Sequence, residues 1–92
     1  MKESVIEAKV IRHAEQQGCF TTKCTGMKGI PDRLVIHEGR HIFIEFKQLG
    51  KTPELIQETV IAKITQAGGR VYVIDNVKDG KELIDKFIMG MV

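Results

Sequence analysis

Apolar positions change their period several times along this chain, and each change predicts an element. In "SVIEAKVIRHAEQQG", Ile6, Val10 and Ala14 recur at helical spacing, with Ser4 as the expected N-cap, Glu7 three residues on and Gly18 as the stop. "CFTTK" suits a short strand. "TGMKGIP" is a loop, because two glycines and a proline break any regular period. "RLVIH" and "HIFIEFK" are rich in Val, Ile and Phe, and Glu38-Gly39 between them predicts a tight antiparallel hairpin with glycine where φ must be positive.

"KTPELIQETVIAKITQAGG" predicts the clearest helix, with Thr52 as N-cap, Pro53 at the first helical position, and Ile56, Val60 and Ile64 on one face. "RVYVID" reads as a buried-type strand, expected in the same sheet with its other face covered. "KDGKELIDKFIMGMV" predicts a closing helix whose apolar stripe is Leu83, Ile84, Phe87 and Ile88. The fold class is α/β: an αβββαβ core with a C-terminal helix, built on a mixed sheet flanked by helices.

Composition narrows the class without naming a function. A chain of 92 residues, 42% hydrophobic and 28% charged, forms one domain and excludes disorder and fibrous classes. No repeat, linker or low-complexity segment divides it. The net charge of +2 fits an anionic partner but does not identify one. Cys19 and Cys24 form no CxxC pair and, with His13, have poor zinc spacing, so they read as buried or half-buried free thiols. Without a signal peptide or long apolar run, the expected compartment is the cytoplasm, with no membrane partner.

The charged residues around the hairpin carry the chemistry. If Glu38 and Gly39 make the turn, His37 faces Arg40, Val35 faces Ile42, Leu34 faces Phe43 and Asp32 faces Glu45. Alternation then points Asp32, Glu45 and Lys47 to one side and Phe46 to the other. Directly opposed Cβ atoms lie about 4.5–5.5 Å apart, where two like charges repel unless a cation sits between them. Hard oxygen ligands suit Mg²⁺ or Mn²⁺, and Lys47, about 7 Å along the strand, can reach the space in front. A three-residue loop would instead set Arg33 opposite Glu45, leaving surface ion pairs and an Asp32 that merely caps the turn after Pro31. On counting alone, both readings stand.

The wider pattern adds to this: Glu7 on the first helix, "GIPDRLV", "IFIEFK", "LIQ" early in a helix, then "GGRVYVID". From about Glu3 to Asp75 it resembles the VRR-NUC domain, a branch of the PD-(D/E)XK nuclease superfamily whose signature stands here as Pro31-Asp32 and Glu45-Phe46-Lys47. The resemblance implies a restriction-endonuclease-like core and a Mg²⁺- or Mn²⁺-dependent endonuclease that hydrolyses phosphodiester bonds. Asp32 and Glu45 would be metal ligands, the Phe46 carbonyl a further ligand, and Lys47 the catalytic lysine. Glu7 matches an acidic residue that completes the metal site directly or through water, with a helix-capping role as the alternative. Gln57 matches a glutamine near the active site that holds a water or a phosphate oxygen.

Lys23, Lys28, Arg33 and Lys51 cluster around these motifs and are expected to bind the DNA backbone. His37 and His41 flank the turn and are expected to be exposed. Stand-alone domains of this size resemble small phage nucleases associated with homodimers similar to Holliday junction resolvases. The expected substrate is therefore branched or four-way DNA, in the host cytoplasm if phage-encoded. The last helix, with Met89 and Met91, is a candidate dimer surface unless it covers its own sheet. A flap, nicking or general endonuclease of a phage replication module, and a non-catalytic nucleic-acid-binding module, are the other readings.

Overall fold

The computed structural model describes residues 1–92 and contains α1 (Glu3–Gln16), β1 (Phe20–Lys23), β2 (Arg33–His37), β3 (Arg40–Phe46), α2 (Leu55–Gln66), β4 (Val71–Ile74) and α3 (Val77–Ile88). This is the order expected from the sequence. The sheet runs β1-β2-β3-β4, antiparallel until β4 joins β3 in parallel. A parallel neighbour needs a long crossover, and α2 supplies it. No helix is long and apolar enough to cross a membrane.

The hairpin register follows from its turn. Glu38 and Gly39 have φ of 50° and 78°, the doubly left-handed pair that matches the twist of a two-residue connection. His37 therefore pairs with Arg40, and the ladder continues through Leu34 with Phe43 to Arg33 with Ile44. Glutamate in the left-handed region costs about 1 kcal/mol, which the paired strands offset.

Two helix starts differ from expectation. α1 begins with Lys2 as N-cap and no side-chain cap bond, so Ser4 lies inside the helix and the Ser4–Glu7 capping box does not form. α2 begins at Leu55 with Glu54 as N-cap, leaving Thr52 and Pro53 outside. The reason is local: Gln57 Oε1 accepts the Glu54 backbone N–H at 2.9 Å, and this bond outcompetes a start at Thr52. In α3 the Asn76 side chain accepts from the Asp79 N–H at 2.8 Å.

One sheet face carries the core. Ile6, Val10 and Ala14 of α1 and Leu83, Ile84 and Phe87 of α3 close over Val35, Ile42, Ile44 and Phe46. Gly80 allows this approach, since a Cβ there would lie 2.4 Å from Val10 Cγ2. The α3 stripe thus covers its own sheet. His37 is half-buried rather than exposed, edge-on to Phe87, while His41 is exposed.

The opposite face is only partly covered, contrary to the expectation for β4. Val60 is the one buried residue of α2; Ile64 is half-buried, Ile56 is 42% exposed and Val73 on β4 is 42% exposed. Strand alternation puts Leu34, Ile36 and Phe43 on this face, all half-buried, with Phe20 opposite Ile36 and 63% exposed. The helical period of Ile56, Val60 and Ile64 is real, but the helix spans too little of the sheet to bury all three.

Candidate active site

The site lies where the carboxyl ends of the parallel pair β3 and β4 meet the start of α2, the edge at which open α/β sheets commonly bind ligands. Pro31, fully buried, leads into Asp32 just before β2. Arg33 pairs with Ile44, so the alternative register with Arg33 opposite Glu45 is excluded. Continuing the ladder by one residue sets Asp32 opposite Glu45. Phe46, on the other face, is fully buried in the core and anchors the strand end.

Each acidic side chain has a defined partner. Asp32 Oδ2 accepts the Phe46 backbone N–H at 2.8 Å, a bond across the strands rather than a cap on its own turn. Glu45 is 1% exposed; its Oε2 accepts from Gln57 Nε2 at 2.8 Å and lies 3.2 Å from Lys47 Nζ. Its Oε1 is buried with no hydrogen-bond partner. Glu7 Oε2 accepts from Arg33 Nε at 2.6 Å, with both side chains largely buried. Glu7 is therefore an ion-pair partner of β2, not a helix cap.

The electrostatics follow from burial and crowding. Desolvation pushes the Asp32 carboxyl above its ordinary range; the Phe46 N–H opposes that, and the Glu7 charge adds to it. Glu45 is likewise pushed up, first by burial and then by the charge of Asp32, with Lys47 pulling it back. A buried carboxylate oxygen with no partner costs about 1–3 kcal/mol. Two crowded acids and one orphaned oxygen form a donor set suited to a hard divalent cation. No three His, Cys, Asp or Glu side chains gather into a metal-binding cluster. An ion here would draw on Asp32, Glu45, a backbone carbonyl and water, a ligand set that Mg²⁺ commonly accepts.

Among the basic residues, Lys23 is exposed at the end of β1, near enough that its charge acts on Asp32. Lys28 is exposed on the loop before β2, and Lys51 is exposed on the connection from β3 to α2. Arg33 is engaged by Glu7. Gly29, at φ 86°, brings the first of these loops against α2, where a Cβ would stand 2.8 Å from the Ile56 carbonyl oxygen.

Three contacts escape sequence reasoning. Glu7–Arg33 spans 26 positions and has no local signal. Gln57 stands where the motif puts it, but its amide binds Glu45 itself. Asp75 Oδ2 accepts the Gly50 N–H at 2.9 Å, holding the Lys51 connection against the end of β4 and keeping the Asp75 carboxyl below its usual range. "Asp-Asn" after a strand was a visible hint of that turn.

No protein-family model matches the chain. Over 79 residues it is 32% identical to "Putative nuclease p44" of Acyrthosiphon pisum secondary endosymbiont phage 1, an alignment covering 83% of this chain and 85% of that protein. A solved structure described as "VRR_NUC domain" matches with a TM-score of 0.84 at 25% identity, over 95% of this chain and 98% of that one. With the mixed sheet and the Pro31-Asp32 and Glu45-Phe46-Lys47 motifs at one sheet end, these likenesses make the chain a member of the VRR-NUC nuclease family.

Proposed function

We propose that this nuclease is a Mg²⁺- or Mn²⁺-dependent endonuclease of branched DNA, acting as a homodimer in the manner of a Holliday junction resolvase. The observation that carries the metal site is Glu45: a carboxylate 1% exposed, with Oε1 unpartnered, beside a second carboxylate whose charge it feels. Asp32, Glu45 and the Phe46 carbonyl would hold the ion, with Glu7, engaged by Arg33, acting through water. When bound, a divalent cation polarises the scissile phosphate and lowers the pKa of a coordinated water.

The chain's own groups supply orientation and charge. The Phe46 N–H aims Asp32, and Gln57 and Lys47 together hold Glu45 Oε2, which leaves Oε1 as the oxygen that would serve a cation. Lys47 Nζ, beside Glu45 Oε2, would lend its charge to a phosphate held there and stabilise the negative charge that develops on it. Lys23, Lys28 and Lys51 hold the DNA backbone without reading bases. The products carry 5′-phosphate and 3′-hydroxyl ends.

Junction selectivity is supported by the resemblance to phage nucleases of the Holliday junction resolvase type. Dimerisation is supported by the open sheet face around Phe20, Leu34, Ile36 and Phe43, because the α3 stripe is spent on the core. A two-fold dimer matches a two-fold substrate. The test is a panel of labelled four-way junction, flap, duplex and single-stranded DNA, each with EDTA, Mg²⁺ or Mn²⁺. Metal-dependent incision of the junction, lost in Asp32→Ala and Glu45→Ala while binding persists, is expected. Unchanged cleavage in both variants rejects the site. Equal cutting of all substrates rejects junction selectivity, and a monomer by light scattering rejects the paired-site geometry.

A further inference from the structure

Asp32 lies opposite Glu45 and next in sequence to Arg33, the ion-pair partner of Glu7, and the charge of Glu7 acts on Asp32 as that of Asp32 acts on Glu45. Lys47 neutralises the Glu45 end. At the Glu7 end the nearest cation is Arg33, whose Nε lies 2.6 Å from Glu7 Oε2. Strand alternation points Arg33 away from Asp32, toward the face that α1 covers, and its side chain is 17% exposed beside a Glu7 side chain at 16%. A guanidinium placed there faces α1 and not the sheet face that carries Asp32 and Glu45.

We infer that Arg33 is the internal counter-ion of the active-site carboxylates, a positioning residue that holds Glu7 beside Asp32, and not a contact for DNA phosphate. This rests on the metal-site reading proposed above. Arginine suits the task because its planar fork stays charged and directional when largely buried, whereas an ammonium is more strongly hydrated. With Arg33 removed, Glu7 would lose its ion-pair partner, and only Lys47 and the exposed Lys23 would offset the charges of these acids. A bound divalent ion would then compensate part of what Arg33 supplied.

The test compares thermal melts of wild type, Arg33→Gln, Arg33→Lys and the double variant Glu7→Gln/Arg33→Gln, in EDTA and in excess Mg²⁺. The salt dependence of binding to a labelled four-way junction is measured alongside, in EDTA. Arg33→Gln is expected to lower Tm in EDTA by about 5–10 °C, with Mg²⁺ restoring at least half of that loss. Arg33→Lys should recover part of the loss, and the double variant should melt above Arg33→Gln because the uncompensated carboxylate is gone. The salt slope should match wild type.

An equal loss of Tm in EDTA and Mg²⁺ overturns the inference, leaving Arg33 a purely structural residue. A salt slope smaller by about one, with Tm unchanged, overturns it in favour of a phosphate contact. If wild type gains no stability from Mg²⁺, the metal-site reading fails and this inference with it. If wild type gains and Arg33→Gln gains no more, the inference alone fails. Should Arg33→Gln not fold, a folded double variant supports the counter-ion role and an unfolded one rejects it.

Discussion

Gln57 ties the orientation of Glu45 to the start of a helix: its Nε2 donates to Glu45 Oε2 at 2.8 Å while its Oε1 accepts the Glu54 N–H at 2.9 Å. One neighbour is a donor and the other an acceptor, so the amide has a single satisfying orientation. The carboxylate is aimed by the same bond pattern that makes α2 begin at Leu55. Site geometry and helix nucleation are one structural event here.

Gln57→Ala should therefore weaken both. Loss of the cap contact is expected to cost about 1 kcal/mol, or about 4–8 °C in Tm, and release of Glu45 should slow incision by about 10–100-fold. Thermal melts and single-turnover incision measure the two effects. A normal rate in a destabilised variant would show that Lys47 alone suffices to aim Glu45.

Glu45→Gln should trade function for stability. The amide removes a buried charge whose desolvation outweighs the pull of Lys47, so the metal-free variant is expected to be more stable than wild type by about 1 kcal/mol. Its stabilisation by Mg²⁺ should disappear along with incision. Chemical denaturation in EDTA and in Mg²⁺ reads both outcomes, and a variant less stable in EDTA would contradict the desolvation account.

The raised carboxyl groups of Asp32 and Glu45 give a pH dependence of definite sign. Above the ordinary carboxylate values of 3.8 and 4.5, the folded chain binds protons at these sites that the unfolded chain has lost. Stability then falls as pH rises through that window, and the two sites contribute most stability below it. Denaturation of metal-free wild type and of Asp32→Asn/Glu45→Gln should converge toward acid pH and separate toward neutral pH, with wild type the weaker. Metal-dependent incision should run the other way and fall on acidification, since ligation needs the ionised forms.

Gly29→Ala should disturb the approach to Asp32 without touching a charge. A Cβ at φ 86° would stand 2.8 Å from the Ile56 carbonyl oxygen, so the loop must lift from α2. About 1–3 kcal/mol of stability should be lost, together with at least a tenfold loss of incision rate. Tm and incision rate on a junction substrate measure both, and a variant with wild-type values would show that the loop shifts freely.

Much of the fold was legible because it obeys short-range rules. Given a two-residue turn, a period of two puts Asp32 opposite Glu45 with Phe46 turned inward; the turn length, left open by counting, is fixed by the left-handed Glu38-Gly39 pair. The α3 stripe was equally clear as a helical period, although its burial against its own sheet depended on Gly80 admitting Val10. Helix starts were less legible. Thr52-Pro53 is a good local start signal, yet a side-chain bond available only to Gln57 moved the boundary to Glu54.

By itself, then, the sequence determined the element order and the positions of the hairpin and its acidic motif, since each depends on neighbours a few positions apart; which of two registers the hairpin takes was settled by the paired strands. Tertiary structure alone decided how those groups are held. Gln57 reaches Glu45 across 12 positions and Arg33 reaches Glu7 across 26. It also decided how much of the second sheet face α2 leaves open. Such contacts depend on where whole elements come to rest, and no local period encodes that, because the packing of α1, α2 and the sheet is set by the entire core.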